Sequence, residues 1–295
     1  MIQATSSKKG HPILHETLHV SQLSQNNPSS TSSKLEELYQ ADLSLLIVKE
    51  AFSPAYVKVA THNLTSSLTQ SWWLSPNKGM QGGELRTIGH AATPTFTAFG
   101  GPKIEDYLSS IHHHPQRSSL IFETESSSFD PTQHLISLFE ALGSGKANPP
   151  SFNQDSTWLP FNYRALDPSV QIYSHHDQHY RLPIYSHLDD TYDRSAILSW
   201  FITLQPAQEG GELILYGLWG DDPNPPMLPT RFLDTNVLEN EYLKYTPNLE
   251  IGDLVIFNSS CHVHRVSPVQ KNRPRYTLGG FLTLSHDRSK IAFWS

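Results

Sequence analysis

Apolar positions along this chain fall into two textures. After a polar stretch rich in Ser, Asn and Gln, order is expected to begin at "KLEELYQ", a short helix, followed by "LSLLIVKEAF", whose β-branched apolar run reads as a buried strand. In "SPAYVKVATHNLTSSL", Ser53 suits an N-cap, Pro54 suits the first helical position, and the apolar spacing behind them continues the helix. "DPTQHLISLFEALGSG" repeats the device with Asp130 and Pro131, and its Gly143 stands where a left-handed C-cap belongs. "KIEDYLSSIHHH" is a weaker helical segment. From about residue 158 the pattern changes to short runs: "VQIYSHH", "RLPIYSHL", "AILSWFITL", "GELILYGLW", "DLVIFNSS", "YTLGGFLTL" and "KIAFWS". Strands this close together, divided by turn-rich pieces such as "PAQEGG", predict a sandwich or barrel, with the helices of the first half buttressing it. The expected fold class is mainly β with flanking helices, α+β. The expected organisation is a disordered tail over 1–33, where the chain is too polar to offset the entropy of ordering, and one structured domain over 34–295.

Composition narrows the partners. The 295 residues carry a net charge of −7 with no basic run longer than Lys8-Lys9, which argues against a nucleic-acid or anionic-lipid surface and for a small-molecule substrate. Oligomeric state is not readable. The one cysteine, Cys261, excludes an internal disulfide and suits a reducing compartment. No window nears the length of an apolar membrane span and no apolar run follows the N-terminal lysines, so the expected location is the cytoplasm.

Sixteen histidines are the unusual count. In a strand, side chains two apart share a face, so H-x-D and H-x-H let one strand offer two ligands to one cavity. Three such elements occur: His175-His176-Asp177, His187-Leu188-Asp189 and His262-Val263-His264. A His/Asp pair from an early strand with one His from a late strand makes a two-histidine, one-carboxylate set. That set leaves coordination positions open and suits Fe(II), whereas structural zinc sites are closed and usually use thiolates.

The stretch after the last pair is more specific. "HRVSPVQKNRPRYTLGGFL" resembles the distal-histidine segment of the Fe(II)- and 2-oxoglutarate-dependent oxygenases, in their prolyl-hydroxylase-like and natural-product-tailoring branches. His264, Val266, Pro268 and Val269 fill its first part, and Arg275-Tyr276-Thr277-Leu278 its second. "GDLVIF", "GGELILYG" and "LLIVKEAFSP" are similar to other strands of that family. The resemblance implies a double-stranded β-helix, a jelly-roll or cupin-like core over about 158–290. It also implies Fe(II), 2-oxoglutarate as co-substrate and O2, and the conversion of 2-oxoglutarate to succinate and CO2 as a substrate C–H bond is hydroxylated.

Under this resemblance His264 is the distal ligand and Arg275 binds the far carboxylate of 2-oxoglutarate, with Thr277 on the same face adding a hydroxyl. Arg275 stands 11 residues after His264, and the family's usual count lands on Arg273 instead; the strand context of "RYTLGGFL" favours Arg275. His187 and Asp189 are preferred as the proximal ligands because their distance to "AILSWFITL" fits the family, with His175 and Asp177 as the alternative. The metal and catalytic set is then His187, Asp189 and His264, with His262 beside the site. Halogenating members replace the carboxylate with Gly or Ala, so the aspartate argues against halogenation and leaves desaturation, epoxidation or cyclisation open. "LYGLWGDDPNPPMLPTRF" and "SWWLSPNKGMQGG" are candidate pocket loops. The competing readings are a cupin-like metalloenzyme without co-substrate and a ligand-binding β-barrel without catalysis.

Overall fold

The computed structural model describes residues 8–25, 34–75, 85–93, 103–123 and 129–295. In chain order its strands are β1 (His15–His19), β2 (Leu45–Lys49), β3 (Leu85–Ile88), β4 (Lys146–Asn148), β5 (Asn162–Leu166), β6 (Ile172–His175), β7 (Leu198–Gln205), β8 (Glu209–Gly210), β9 (Leu213–Trp219), β10 (Lys244–Tyr245), β11 (Leu254–Asn258), β12 (His262–Val266), β13 (Val269–Gln270), β14 (Arg275–Leu284) and β15 (Lys290–Trp294). The described helices are α1 (Val20–Gln25), α2 (Lys34–Tyr39), α3 (Pro54–Thr65), α4 (Ile104–Phe122), α5 (Pro131–Leu142) and α6 (Thr235–Glu241).

Strand pairing builds two main sheets. The larger runs β1-β2-β11-β7-β14-β15-β4, with β5 pairing the first half of β14 and β3 pairing β5. The smaller runs β10-β9-β12-β6, and β8 and β13 form a separate two-stranded ribbon. This is the expected jelly-roll arrangement: two sheets facing each other, with helices packed behind the larger one.

The unbroken apolar run of β2 follows from burial on both faces. Leu46 and Val48 join Leu254, Ile256, Leu198, Trp200 and Ile202 in a core shared with α2, α3 and α5. Leu45 and Ile47 face the other way, toward Val255, Phe257, Leu213 and Leu215 between the sheets. The same alternation along β7 sends Trp200 and Ile202 to the helices and Ser199 and Phe201 to the space between the sheets. That space becomes the cavity described below.

Helix starts follow the capping chemistry. Ser53 Oγ accepts from the Tyr56 N–H, and Asp130 accepts from the Thr132 and Gln133 N–H groups, each ahead of a proline at the first helical turn. Gly143 is a correction. Its φ is −127°, so no left-handed cap is formed. A Cβ there would stand 2.8 Å from Ile291 Cδ1 and 2.9 Å from Leu35 Cδ1, so a larger residue would have to displace those side-chain ends.

The N-terminal expectation also changes. Of the tail expected over 1–33, residues 1–7 and 26–33 lie outside the described residues, but His15–His19 pairs in parallel with Leu45–Lys49. The free edge of β2 offers its backbone groups to any chain able to extend along it, and pairing of this kind needs little side-chain hydrophobicity. Ring stacking adds to it, with His11 on Trp219 at 4.1 Å and His15 on Tyr245 at 4.0 Å between centroids. Among the described residues no helix is long and apolar enough to cross a membrane.

Candidate metal centre

β6 ends at His175, which pairs in register with His264 of the antiparallel β12. The chain then leaves the ladder, and the Asp177 N–H donates to the Ser259 carbonyl at 2.8 Å, which turns the aspartate back toward the two histidines. His175, Asp177 and His264 each bring a ligand atom to one spot, the three atoms lying within 4.8 Å of one another. The carboxylate and His264 are buried, and His175 is half-buried.

Both imidazoles are set by backbone carbonyls. His264 Nδ1 lies 3.0 Å from the His262 carbonyl oxygen and His175 Nδ1 2.6 Å from that of Tyr173. A carbonyl only accepts, so each Nδ1 carries the hydrogen and each Nε2 keeps its lone pair for a metal. Burial, reinforced by His175, pushes His264 down to about 3, so it stays the neutral imidazole that ligation requires. Burial opposes charge on Asp177, yet His179 and the neighbouring imidazoles hold it well below the usual carboxylate range. Two neutral nitrogens and one carboxylate oxygen suit a divalent iron with open positions.

His187 and Asp189, the preferred proximal pair, are not brought to this spot. The expected second strand is instead a pair of tight turns, His179–Arg181 and Pro183–His187. Pro183 has no N–H to give a ladder. Ile184 and Tyr185 are drawn into an aromatic cluster with Trp158 and Trp294, where Trp294 Nε1 donates to the Tyr185 hydroxyl at 2.9 Å. His187 is left at the surface, stacked on Phe152 at 4.5 Å, and the exposed Asp189 accepts from the Thr191 N–H at 2.8 Å. The alternative pair, His175 and Asp177, is the one that meets His264. His262 shares strand β12, but a register shift between the two histidines separates them: His262 is buried with Nδ1 3.2 Å from the Tyr216 carbonyl.

A cavity of about 490 Å³ between the sheets contains the three residues. Arg275 and Thr277 of β14 line it, both buried, while Arg273 is exposed and donates to the Ala207 carbonyl at 3.2 Å. The Arg275 guanidinium lies over the Phe201 ring at 4.7 Å, and burial, with the nearby charge of Arg164, lowers it to about 10. Arg164 lines the same cavity from β5, opposite Thr277 in register, and its charge is also disfavoured by burial. Among the described residues neither guanidinium has a carboxylate within 4.0 Å. The sequence reading passed over Arg164, whose signal was a cation in the middle of the apolar segment "FNYRAL". It also passed over His179, which extends the period-two series to H-x-D-x-H. Of the two candidate pocket loops, residues 220–234 pack through Phe232 on Tyr173 and supply no cavity-lining residue, while 76–83 of the other lie outside the described residues, its Trp73 carrying Arg86 on its ring.

A two-sheet jelly roll with two histidines and a carboxylate between its sheets defines a mononuclear non-haem iron oxygenase. The family model described as carrier-protein-independent halogenase WelO5 matches residues 17–295, and the chain belongs to that family. It is therefore an Fe(II)- and 2-oxoglutarate-dependent oxygenase, with O2 as its other reactant. The fold is similar to that of the non-haem α-ketoglutarate-dependent carbocyclase SnoK from nogalamycin biosynthesis, at 13% identity and TM-score 0.50, covering 88% of this chain and 86% of that one. An N-substituted L-amino acid dioxygenase from Burkholderia ambifaria AMMD is similar at 12% identity and TM-score 0.48, covering 88% and 89%. No curated protein matches the sequence.

Proposed function

We propose that His175, Asp177 and His264 hold the iron, that Arg275 and Thr277 bind the far carboxylate of 2-oxoglutarate, and that the reaction is hydroxylation of a C–H bond in a small molecule. The observation that carries this reading is the convergence of the three ligand atoms within 4.8 Å in the cavity that Arg275 lines. Iron bound there supplies the O2 activation and C–H oxidation of the family, with release of succinate and CO2. The protein's own part is to bind and to exclude. A guanidinium grips a carboxylate through paired N–H donors, which lysine does not do, and the Thr277 hydroxyl beside it adds a donor. Arg164 supplies a second cation, so two guanidinium groups await a dianionic co-substrate. The apolar walls Phe201, Phe257 and Phe281 keep water from the oxidising centre and leave room for a small organic substrate. An amino acid or natural-product intermediate suits that volume, and one domain of the described fold suffices for the work.

Family membership favours halogenation as a second reading. Halogenation needs a ligand position for halide, and Asp177 fills the place that a carboxylate-free site would leave for it. The two readings separate in the wild-type iron–2-oxoglutarate complex. Chloride or bromide is expected to leave its spectrum unchanged, and a halide-dependent shift would favour halogenation.

The test of the site is an anaerobic titration of apo-protein with Fe(II) and then 2-oxoglutarate, following the weak visible charge-transfer band of the chelate. The band is expected in wild type and Asp189→Ala and lost in Asp177→Ala. Its absence from wild type overturns the reading.

A further inference from the structure

The reading of the centre leaves the buried histidine that touches Asp177 without a role. His179 opens the turn His179–Arg181, two residues beyond Asp177, and its side chain is 6% exposed. We infer that His179 is a positioning residue for the iron site: with Ser199 it clamps the Asp177 carboxylate and fixes the direction in which that carboxylate meets a metal. The inference rests on the assignment of Asp177 as a ligand.

The geometry is specific. His179 Nε2 lies 3.0 Å from Asp177 Oδ1, and Ser199 Oγ donates to Oδ2 at 2.8 Å. Each oxygen therefore accepts one hydrogen bond and turns its remaining side toward a ligand histidine: His175 Nε2 is 3.7 Å from Oδ1 and His264 Nε2 is 3.9 Å from Oδ2. A carboxylate held at one oxygen only still swings about its Cβ–Cγ bond, and donors at both oxygens stop that rotation.

The imidazole itself has no competing polar task. A carboxylate accepts, so Nε2 carries the hydrogen, and the buried Nδ1 has no hydrogen-bond partner among the described residues. Edge-on packing against Phe281, with centroids 4.8 Å apart and planes at 87°, sets the ring's orientation. Leaving a buried ring nitrogen unbonded has a cost, and the contact with Asp177 is what the ring gains in exchange. The Ser259 hydroxyl, 2.9 Å from Ser199 Oγ, gives its own hydrogen to the Ile197 carbonyl at 3.1 Å and so leaves the Ser199 hydrogen to Asp177, while the Asp177 N–H on the Ser259 carbonyl holds the aspartate to that loop. The clamp thus ties the carboxylate to β7 and to the loop after β11, and its place in the cavity no longer depends on the short turn that carries it.

The test compares full-length wild type, His179→Leu and His179→Gln, whose amide reaches about as far as Nε2 and restores a donor. Anaerobic calorimetry with Fe(II) reads affinity, and the charge-transfer band with 2-oxoglutarate reads ligand geometry. The expected result is a 10- to 100-fold loss of Fe(II) affinity with a displaced band in His179→Leu, in the range seen when outer-shell partners are removed, and recovery of most of both in His179→Gln. Thermal melting of each apo-protein monitors folding, and His179→Phe replaces the Leu variant in the comparison if the latter does not fold. Wild-type affinity and an unshifted band in the donor-less variant overturn the inference, as does an equal loss in the Gln variant. Failure of the underlying assignment looks different: wild type then takes up no Fe(II), or His264→Ala takes it up undiminished.

Discussion

Two H-x-D motifs stand twelve residues apart in this chain, alike in residue types and unlike in everything the fold does with them. His175 ends a strand laddered to His264, and its aspartate is buried under two donors. His187 ends a tight turn behind a proline, and its aspartate caps a loop in solvent. The difference teaches that spacing makes a ligand pair available, while the neighbouring strand makes it a site. The residues between the motifs form compact turns rather than the expected strand, which is why counting along the chain and the fold favour different pairs.

The sharpest way to break the comparison is to exchange the burdens of the two motifs. Asp177→Ala and His264→Ala are expected to abolish turnover, by about 1000-fold or more because a lost ligand removes the metal's contribution to the chemistry, and to abolish Fe(II) binding in the same titration. His187→Ala and Asp189→Ala are expected to keep wild-type Fe(II) affinity and turnover within about twofold, as surface changes away from a site do. A large loss in Asp189→Ala would reverse the assignment of the two motifs.

The arginines repeat the contrast on a smaller scale. Arg275→Ala should raise the KM for 2-oxoglutarate by about 10- to 100-fold, the equivalent of removing a charged hydrogen bond of roughly 1.5–3 kcal/mol. Arg273→Ala should leave that KM unchanged, since its side chain reaches a carbonyl outside the cavity. Steady-state kinetics with varied 2-oxoglutarate decide it.

Smaller effects should appear in stability at the outer motif. Loss of the His187–Phe152 stack should lower stability by about 0.5 kcal/mol, at the low end for aromatic pairs, read as a shift in the denaturation midpoint of His187→Ala. Asp189 is held below its ordinary range of 3.8 first by the Thr191 backbone N–H and then by the Thr191 hydroxyl. A depressed folded-state pKa stabilises the protein above the unfolded value and loses that contribution as pH falls below it. Asp189→Asn should therefore flatten the acid limb of the stability curve below about pH 4, where free aspartate begins to take up its proton, and leave the neutral region unaltered.

How much was legible varies by element. The capped helices at Ser53 and Asp130, the doubly buried strand Leu45–Lys49 and the late strands all announced themselves, because their signals reside in the residues that form them. His264 was legible from the segment that follows it. Which H-x-D pair stands beside His264 was not, because both motifs satisfy the same local rule. The N-terminal strand was missed because edge pairing draws on backbone groups, which every sequence has.

By itself, then, the sequence determined the class of fold, the iron-oxygenase chemistry and the two strands bearing His264 and Arg275. The fold class follows from local periodicity and capping, and the chemistry from the resemblance of the segment after His264 to the oxygenase family. Only the tertiary structure decided which aspartate joins the histidines, that His262 turns away from His264, that Arg164 enters the cavity and that His179 and Ser199 clamp the carboxylate. Each of those depends on strand register and on contacts between residues far apart in the chain, and a period of two along one strand says nothing about which other strand it will face.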